Sequence, residues 1–230
     1  MDGNGRWAKK RLLPRVAGHV RGVRRVQEIV AHCAKIGVKY LTLFAFGREN
    51  WRRPEEEVSF LMKLLYEQLE KEFTNLHEKN IHVRFIGDRS RLDSIIIDKI
   101  KAIESLTSNN TQMNLSIAVD YSGTYDILQA VNKIIQNNEY KNKHSDEELP
   151  QITEDDFSKY LLTYPEPNPD LLIRTSGESR LSNFMLWQLA YTECYFTNKL
   201  WPDFDAKQLD LAVEWFGKRE RRFGMTSEQL

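Results

Sequence analysis

Cysteine is nearly absent. Cys33 and Cys194 are the only two in 230 residues, and neither belongs to a Cys-x-x-Cys pair or a Cys/His ligand cluster. A disulfide framework and a structural zinc site are excluded on that ground, and a reducing cytoplasmic setting fits. Long apolar runs are missing too. The longest are about the length of a strand, well below the roughly 18 residues that a membrane span needs, and the opening Met-Asp-Gly-Asn has no signal-peptide character. The five histidines form no metal-spaced pair. No G-x-x-x-x-G-K-[ST] and no G-x-S-x-G occurs, so P-loop nucleotide chemistry, zinc hydrolysis and nucleophile-elbow hydrolysis all fall away.

Net charge is also absent, with 33 basic and 33 acidic side chains. The balance hides a local excess. Between Met1 and Arg25 stand Arg6, Lys9, Lys10, Arg11, Arg15, Arg21, Arg24 and Arg25 against the single acid Asp2. Such a stretch calls for an anion. One reading is a nucleic-acid-binding module, which would bind in a salt-dependent way without turnover; the other is an enzyme with an anionic substrate.

Hydrophobic residues at 41% and charged residues at 29% describe an ordinary globular chain, and the length predicts a single domain spanning 1–230. Val38–Phe46, Ile81–Ile86, Met113–Val119 and Asp170–Arg174 are apolar and β-branched almost throughout, the pattern of strands covered on both faces; Cys194–Thr197 carries it more weakly. Helical periodicity links Val23, Val26, Val30, Cys33 and Ala34, closed by Gly37. Pro54 and Glu55–Glu57 open a second helix, with Val58, Leu61, Met62, Leu65 and Leu69 on one face. Further helices are predicted over Ile95–Leu106, Tyr125–Ile135, Asp155–Leu162, Asn183–Tyr191 and Ala206–Arg219, and an exposed loop over Gln136–Gln151. Alternating strands and helices generate an α/β fold with a mostly parallel central sheet flanked by helices. In such a sheet ligands bind beyond the C-terminal ends of the strands.

The polar chemistry of the sequence lies at those ends. In Asp2-Gly3-Asn4-Gly5-Arg6 two glycines let backbone N–H groups approach a ligand. Asp2 beside a phosphate site requires a cation between them, and Mg²⁺ is the usual one. Arg15 and His19 share a helical face. Glu49, Asn50, Trp51 and Arg53 crowd a strand-to-helix connection. Arg174, Arg180 and Ser182 bracket another, where guanidinium forks match phosphate oxygens. Two anion loops imply two anionic groups.

MDGNGRWA (1–8), RVAGH (15–19), ENWRRP with EV (49–54, 57–58), IGDRSR (86–91), PDLLIRTSGESRLSNFMLWQLAYTECYFT (169–197), WPDF (201–204) and RERRFG (219–224) together resemble the cis-prenyltransferase family, and within it the undecaprenyl diphosphate synthases. The resemblance implies an Mg²⁺-dependent condensation of isopentenyl diphosphate with an allylic diphosphate such as farnesyl diphosphate, giving a long product near C55 for a cell-wall lipid carrier. Asp2 and Asn50 are implied as catalytic. Gly3, Asn4, Gly5, Arg6, Trp7, Arg15, His19, Glu49, Trp51 and Arg53 are implied for the allylic diphosphate. Arg174, Arg180, Ser182, Arg222 and Gly224 are implied for isopentenyl diphosphate, the last two across a homodimer interface. Asp2 and Glu193 are implied as metal ligands. A cytoplasmic protein with peripheral membrane contact, and no nucleic-acid partner, is the expected setting.

Three departures accompany the resemblance. The family carries a short strand before the Asp motif, and this sequence starts at its last residue, so a truncated first strand is expected. Gly47 stands where the family often has Ser. Ser176 and Ser179 replace the usual Gly and His, which removes a histidine from beside the metal. The growing chain requires an apolar tunnel, for which Ala45, Phe46, Leu61, Leu65 and Leu69 are candidates.

Overall fold

The computed structural model describes residues 1–71, 73–136, 151–222 and 224–229; positions 137–150 of the expected loop lie outside them. Among the described residues there are five strands, β1 (Tyr40–Gly47), β2 (Ile81–Ile86), β3 (Met113–Tyr121), β4 (Leu171–Arg174) and β5 (Glu193–Phe196). The helices are α1 (Asn4–Lys9), α2 (Arg15–Lys35), α3 (Glu55–Lys71), α4 (Phe73–Glu78), α5 (Ser94–Thr107), α6 (Gly123–Gln136), α7 (Glu154–Ser158) and α8 (Ala206–Gly217).

Among the described residues every strand pairing is parallel, each reached by the long crossover connection that parallel neighbours need. The strands form two sheets, a three-stranded one ordered β1-β3-β2 and a two-stranded one of β4 and β5. Central β3 is the most buried, with Met113, Leu115, Ala118, Val119 and Tyr121 all in the core. One face of the larger sheet packs with Ile29, Val30 and Cys33 of α2, Val58 and Leu69 of α3, and Ile96, Ile100 and Ile103 of α5. The other buries Ile86, Ala118 and Tyr121 against Phe184, Met185 and Leu189. There Phe44 stacks on Phe184 at 4.5 Å between ring centroids.

The single central sheet therefore comes in two pieces. β1 and β4 are both edge strands, and a cavity of about 920 Å³ lies between them, walled by 40–45 on one side and 171–175 on the other. Among the described residues no strand precedes α1, and Met1 lines this gap.

One expected helix is absent. Residues 183–191 form successive turns, because Ser182, Asn183 and Met185 all take positive φ (50°, 61° and 45°), which no α-helix accommodates. The turns bring the Asn183 carbonyl to the Gly123 N–H at 2.6 Å. A Cβ at Gly123 would lie 2.8 Å from the Leu186 nitrogen, so close approach fixes the glycine there. The helix expected over Asp155–Leu162 is shorter, α7 ending at Ser158, with the Thr153 side chain capping its start by accepting from Asp156 N.

Candidate active site

The chain start is anchored on the loop after β4. Thr175 Oγ1 accepts from Asp2 N at 3.0 Å and donates to Asp2 O at 2.8 Å, while Trp201 N donates to the same carbonyl at 3.0 Å. Gly3 then turns the chain with φ 105° into α1. A side chain there would meet both strain and Leu200 Cδ2 at 2.9 Å. Helix α1 is pressed onto α2 so closely that a Cβ at Gly18 would stand 2.0 Å from the Asn4 carbonyl oxygen. Asn4 Oδ1 is buried without a hydrogen-bond partner.

Around this turn the strand-end loops converge. Asp2, Gly3, Asn4, Gly5, Arg6, Arg15, His19, Asn50, Arg53, Arg174, Arg180 and Ser182 all line the same cavity. The Asp2 carboxylate accepts from Arg174 Nη2 at 3.2 Å and faces Arg6 Nη2 at 3.5 Å. Burial works to raise its pKa, but the Arg174 hydrogen bond and the Arg6 charge prevail and hold it below the ordinary carboxylate value. Arg174 Nη1 also donates to Ser182 Oγ at 2.9 Å and to the Arg180 carbonyl. Arg6 donates to the Ser176 carbonyl at 3.1 Å and pairs with Glu178 at 2.9 Å; Arg180 pairs with the other oxygen of Glu178.

A second group forms on the α2–α3 side. Glu57 Oε1 receives Arg53 Nη1 at 3.1 Å and Arg15 Nε at 3.2 Å. His19 Nε2 lies 3.5 Å from the same oxygen, at the limit of contact, and is otherwise buried without a hydrogen-bond partner. Burial lowers the His19 pKa, Glu57 opposes and Arg53 and Arg15 reinforce, so the net direction is down and the imidazole is neutral near pH 7. Arg15, His19 and Arg53 thus point into the cavity with Glu57 as their common holder, a role the sequence reading did not assign.

The connection after β1 is a short 3-10 turn over Arg48–Arg52. Asn50 Oδ1 accepts from Gly47 N at 2.9 Å, and Glu49 Oε1 accepts from Asn183 Nδ2 at 2.7 Å. Trp51 packs edge-on against Phe46 and donates its Nε1–H to Asp120. Asn50 faces the cavity, whereas Glu49 and Trp51 hold the turn from behind. Trp7 is likewise outside the lining, its Nε1–H donated to Asp203 at 2.7 Å.

Three implied residues stand elsewhere within one chain. Glu193 opens β5 in register with Leu171, at the end of the strands opposite Arg174, and pairs with Arg219 at 3.1 Å. Arg222 is exposed and pairs with Glu220 at 2.9 Å, and Gly224 follows with φ 87°. Among the described residues no three His, Cys, Asp or Glu side chains gather as a metal site. Asp2 alone fits Mg²⁺ nonetheless, since that ion commonly takes one or two carboxylates and completes its shell with water and substrate phosphate.

A smaller apolar cavity of about 210 Å³ adjoins the first and shares Asn4, His19, Leu43, Ala45 and Leu61 with it. It runs between α2, α3 and the sheet, past Val26, Val30, Phe46, Leu65 and Ile117. Of the expected tunnel residues Ala45, Phe46, Leu61 and Leu65 line it. Leu69 is instead buried in the core.

Fold and site together define an α/β protein that gathers two arginine clusters and the Asp2 carboxylate at the strand ends, beside an apolar channel. The family described as putative undecaprenyl diphosphate synthase matches residues 1–224. The isoprenyl transferase of Neisseria meningitidis serogroup A is 57% identical over 230 residues, covering 100% of this chain and 89% of that one. The Vibrio vulnificus ditrans,polycis-undecaprenyl-diphosphate synthase ((2E,6E)-farnesyl-diphosphate specific) is 50% identical, covering 100% and 90%. Among solved structures, lavandulyl diphosphate synthase from Lavandula x intermedia, in complex with dimethylallyl diphosphate, superposes with a TM-score of 0.91 at 38% identity, covering 97% of this chain and 95% of that one. The chain belongs to the undecaprenyl diphosphate synthase family of prenyltransferases.

Proposed function

We propose that this single-domain chain condenses isopentenyl diphosphate units onto an allylic diphosphate, farnesyl diphosphate in the first instance, with cis geometry to give a polyprenyl diphosphate. The observation that carries the reading is the meeting of Arg6, Arg15, Arg53, Arg174 and Arg180 with Asp2 in one cavity that opens onto an apolar channel. Guanidinium forks suit phosphate oxygens, and two clusters suit two diphosphates.

On this reading the backbone N–H groups at Gly3–Arg6, with Arg15, Arg53 and neutral His19, bind the allylic diphosphate. Arg174, Arg180 and Ser182 bind the isopentenyl diphosphate. The arginines stabilise charge as it develops on the departing diphosphate, typically the largest catalytic contribution. Asp2 would hold Mg²⁺, which would further neutralise that charge. Asn50 reaches the space between the two diphosphates from the turn after β1. Glu193, Arg222 and Gly224 act through a homodimer, in which the far strand end and the tail of one chain complete the site of the other. The setting is cytoplasmic and membrane-peripheral.

A channel of about 210 Å³ lies below the roughly 300–1,000 Å³ of typical ligand pockets, so a C55 chain requires its walls to part further as the product grows. A short product is the second reading that this volume favours. Incubation with farnesyl diphosphate, labelled isopentenyl diphosphate and Mg²⁺, followed by sizing of the extracted lipid, decides between them. Long labelled lipid supports the main reading and a short ladder the second. Absence of any magnesium-dependent incorporation overturns both.

A further inference from the structure

We infer that the link between α1 and α2 is a docking tip for an anionic lipid surface. Leu12 is 96% exposed and Leu13 44% exposed. Neither is displayed by a loose loop, because the link is tied down by Arg11 N to Ala8 O at 2.9 Å, Leu12 N to Lys9 O at 3.2 Å and Leu13 N to Ala8 O at 3.0 Å. Leu12 also occupies the left-handed region, φ 55°, where glycine sits without strain and leucine does not. A strained backbone that turns an apolar side chain fully into solvent gains nothing for the fold. Val16 and Val20, each 39% exposed, continue the apolar surface up one face of α2.

The charge carried by the link itself is of one sign, although Asp203 and Glu57 on neighbouring elements pair with Arg11 and Arg15. Lys9, Lys10, Arg11 and Arg15 flank the leucines, and no acidic residue occurs between Asp2 and Glu28. Arg11 is held by Asp203 at 3.3 Å and lies over the Trp7 ring at 4.2 Å, which fixes its guanidinium beside the tip. Protruding leucines ringed by cations match the interfacial region of a bilayer, where apolar side chains enter the acyl boundary and cations meet lipid phosphates. A nucleic acid would use the cations and leave Leu12 in water. Lys9 and Arg15 line the larger cavity, so the tip would set the cavity beside the membrane face. The inference stands on this surface and does not depend on the proposed activity.

The test is co-sedimentation of the full chain with vesicles of phosphatidylcholine alone or mixed with phosphatidylglycerol, with a single-stranded oligonucleotide as competitor. The wild-type chain is expected to bind the anionic vesicles, to release them at high salt and to bind phosphatidylcholine weakly. Leu12→Ser with Leu13→Ser is expected to cut binding about tenfold, and Lys10→Gln on the order of fivefold. Leu12→Gly, which suits the left-handed backbone better, is expected to lose binding while melting no lower than wild type, separating docking from folding. No binding to anionic vesicles, equal binding by the leucine variants, or full displacement by the oligonucleotide would each overturn the inference.

Discussion

Trp51 Nε1 donates to Asp120 Oδ1 at 2.9 Å, and that one bond ties the turn after β1 to the end of β3. Asp120 is fully buried with φ 51°, and its carboxylate also accepts from Arg91 Nε at 2.9 Å. Arg91 lies over the Trp51 ring at 5.3 Å, so indole, guanidinium and carboxylate close a three-part clamp. The clamp stands behind Glu49 and Asn50 and fixes how Asn50 faces the cavity. Replacing Asp120 with Ala leaves Arg91 and the indole N–H without their acceptor. Because Arg91 is partly exposed, the stability lost should fall at or below the roughly 3 kcal/mol typical of breaking a buried ion pair. Thermal melting measures this, and kcat should fall in parallel as the turn loosens.

Arg174 reaches Asp2, Ser182 and the Arg180 carbonyl at once. Lysine keeps the charge but cannot span these acceptors with a planar fork. Arg174→Lys should lower kcat/KM for isopentenyl diphosphate at least tenfold, equivalent to about 1.4 kcal/mol and below the roughly 1.5–3 kcal/mol of one charge-assisted bond. The apparent affinity for the allylic substrate should change far less. Steady-state kinetics with each substrate varied in turn separates the two.

Contact between α1 and α2 depends on Gly18, whose Cβ position lies 2.0 Å from the Asn4 backbone oxygen. Gly18→Ala must push α1 and its preceding turn away from α2. A loss of about 1–3 kcal/mol follows from such overpacking, together with weaker binding of allylic diphosphate, because Gly3–Arg6 move with the helix. Gly37→Ala, whose Cβ would meet nothing within 4 Å, serves as a control for its left-handed strain alone; it should lose stability without changing substrate affinity.

Much of this organisation is legible in the sequence. The apolar runs around Leu43, Val83 and Leu115 identify the parallel strands because burial on both faces leaves no polar alternation to confuse. Short polar strings at their ends locate Arg53, Arg174 and Arg180, since a parallel sheet places all such ends on one side. The helix expected over Asn183–Tyr191 fails for a local reason. Its apolar spacing is helical, but Ser182, Asn183 and Met185 are left-handed, with the Asn183 carbonyl bonded to Gly123 N and the Ser182 hydroxyl to Arg174. Asp120 is visible as part of the polar string after the third strand, but its grip on Trp51 and Arg91 depends on how their loops meet the end of β3. Glu57 is visible as a helix-opening acid and as part of a family motif, but its grip on Arg15, Arg53 and His19 depends on how α2 and α3 pack.

The central claim is that one cavity holds two diphosphates in separate arginine clusters. Calorimetric titration of the full chain in Mg²⁺, first with an unreactive farnesyl thiolodiphosphate and then with isopentenyl diphosphate, tests it directly. The account predicts two successive binding events per chain, with Arg53→Ala abolishing mainly the first and Arg180→Ala mainly the second. A single site for which the two ligands compete, or equal loss of both events in each variant, would contradict it.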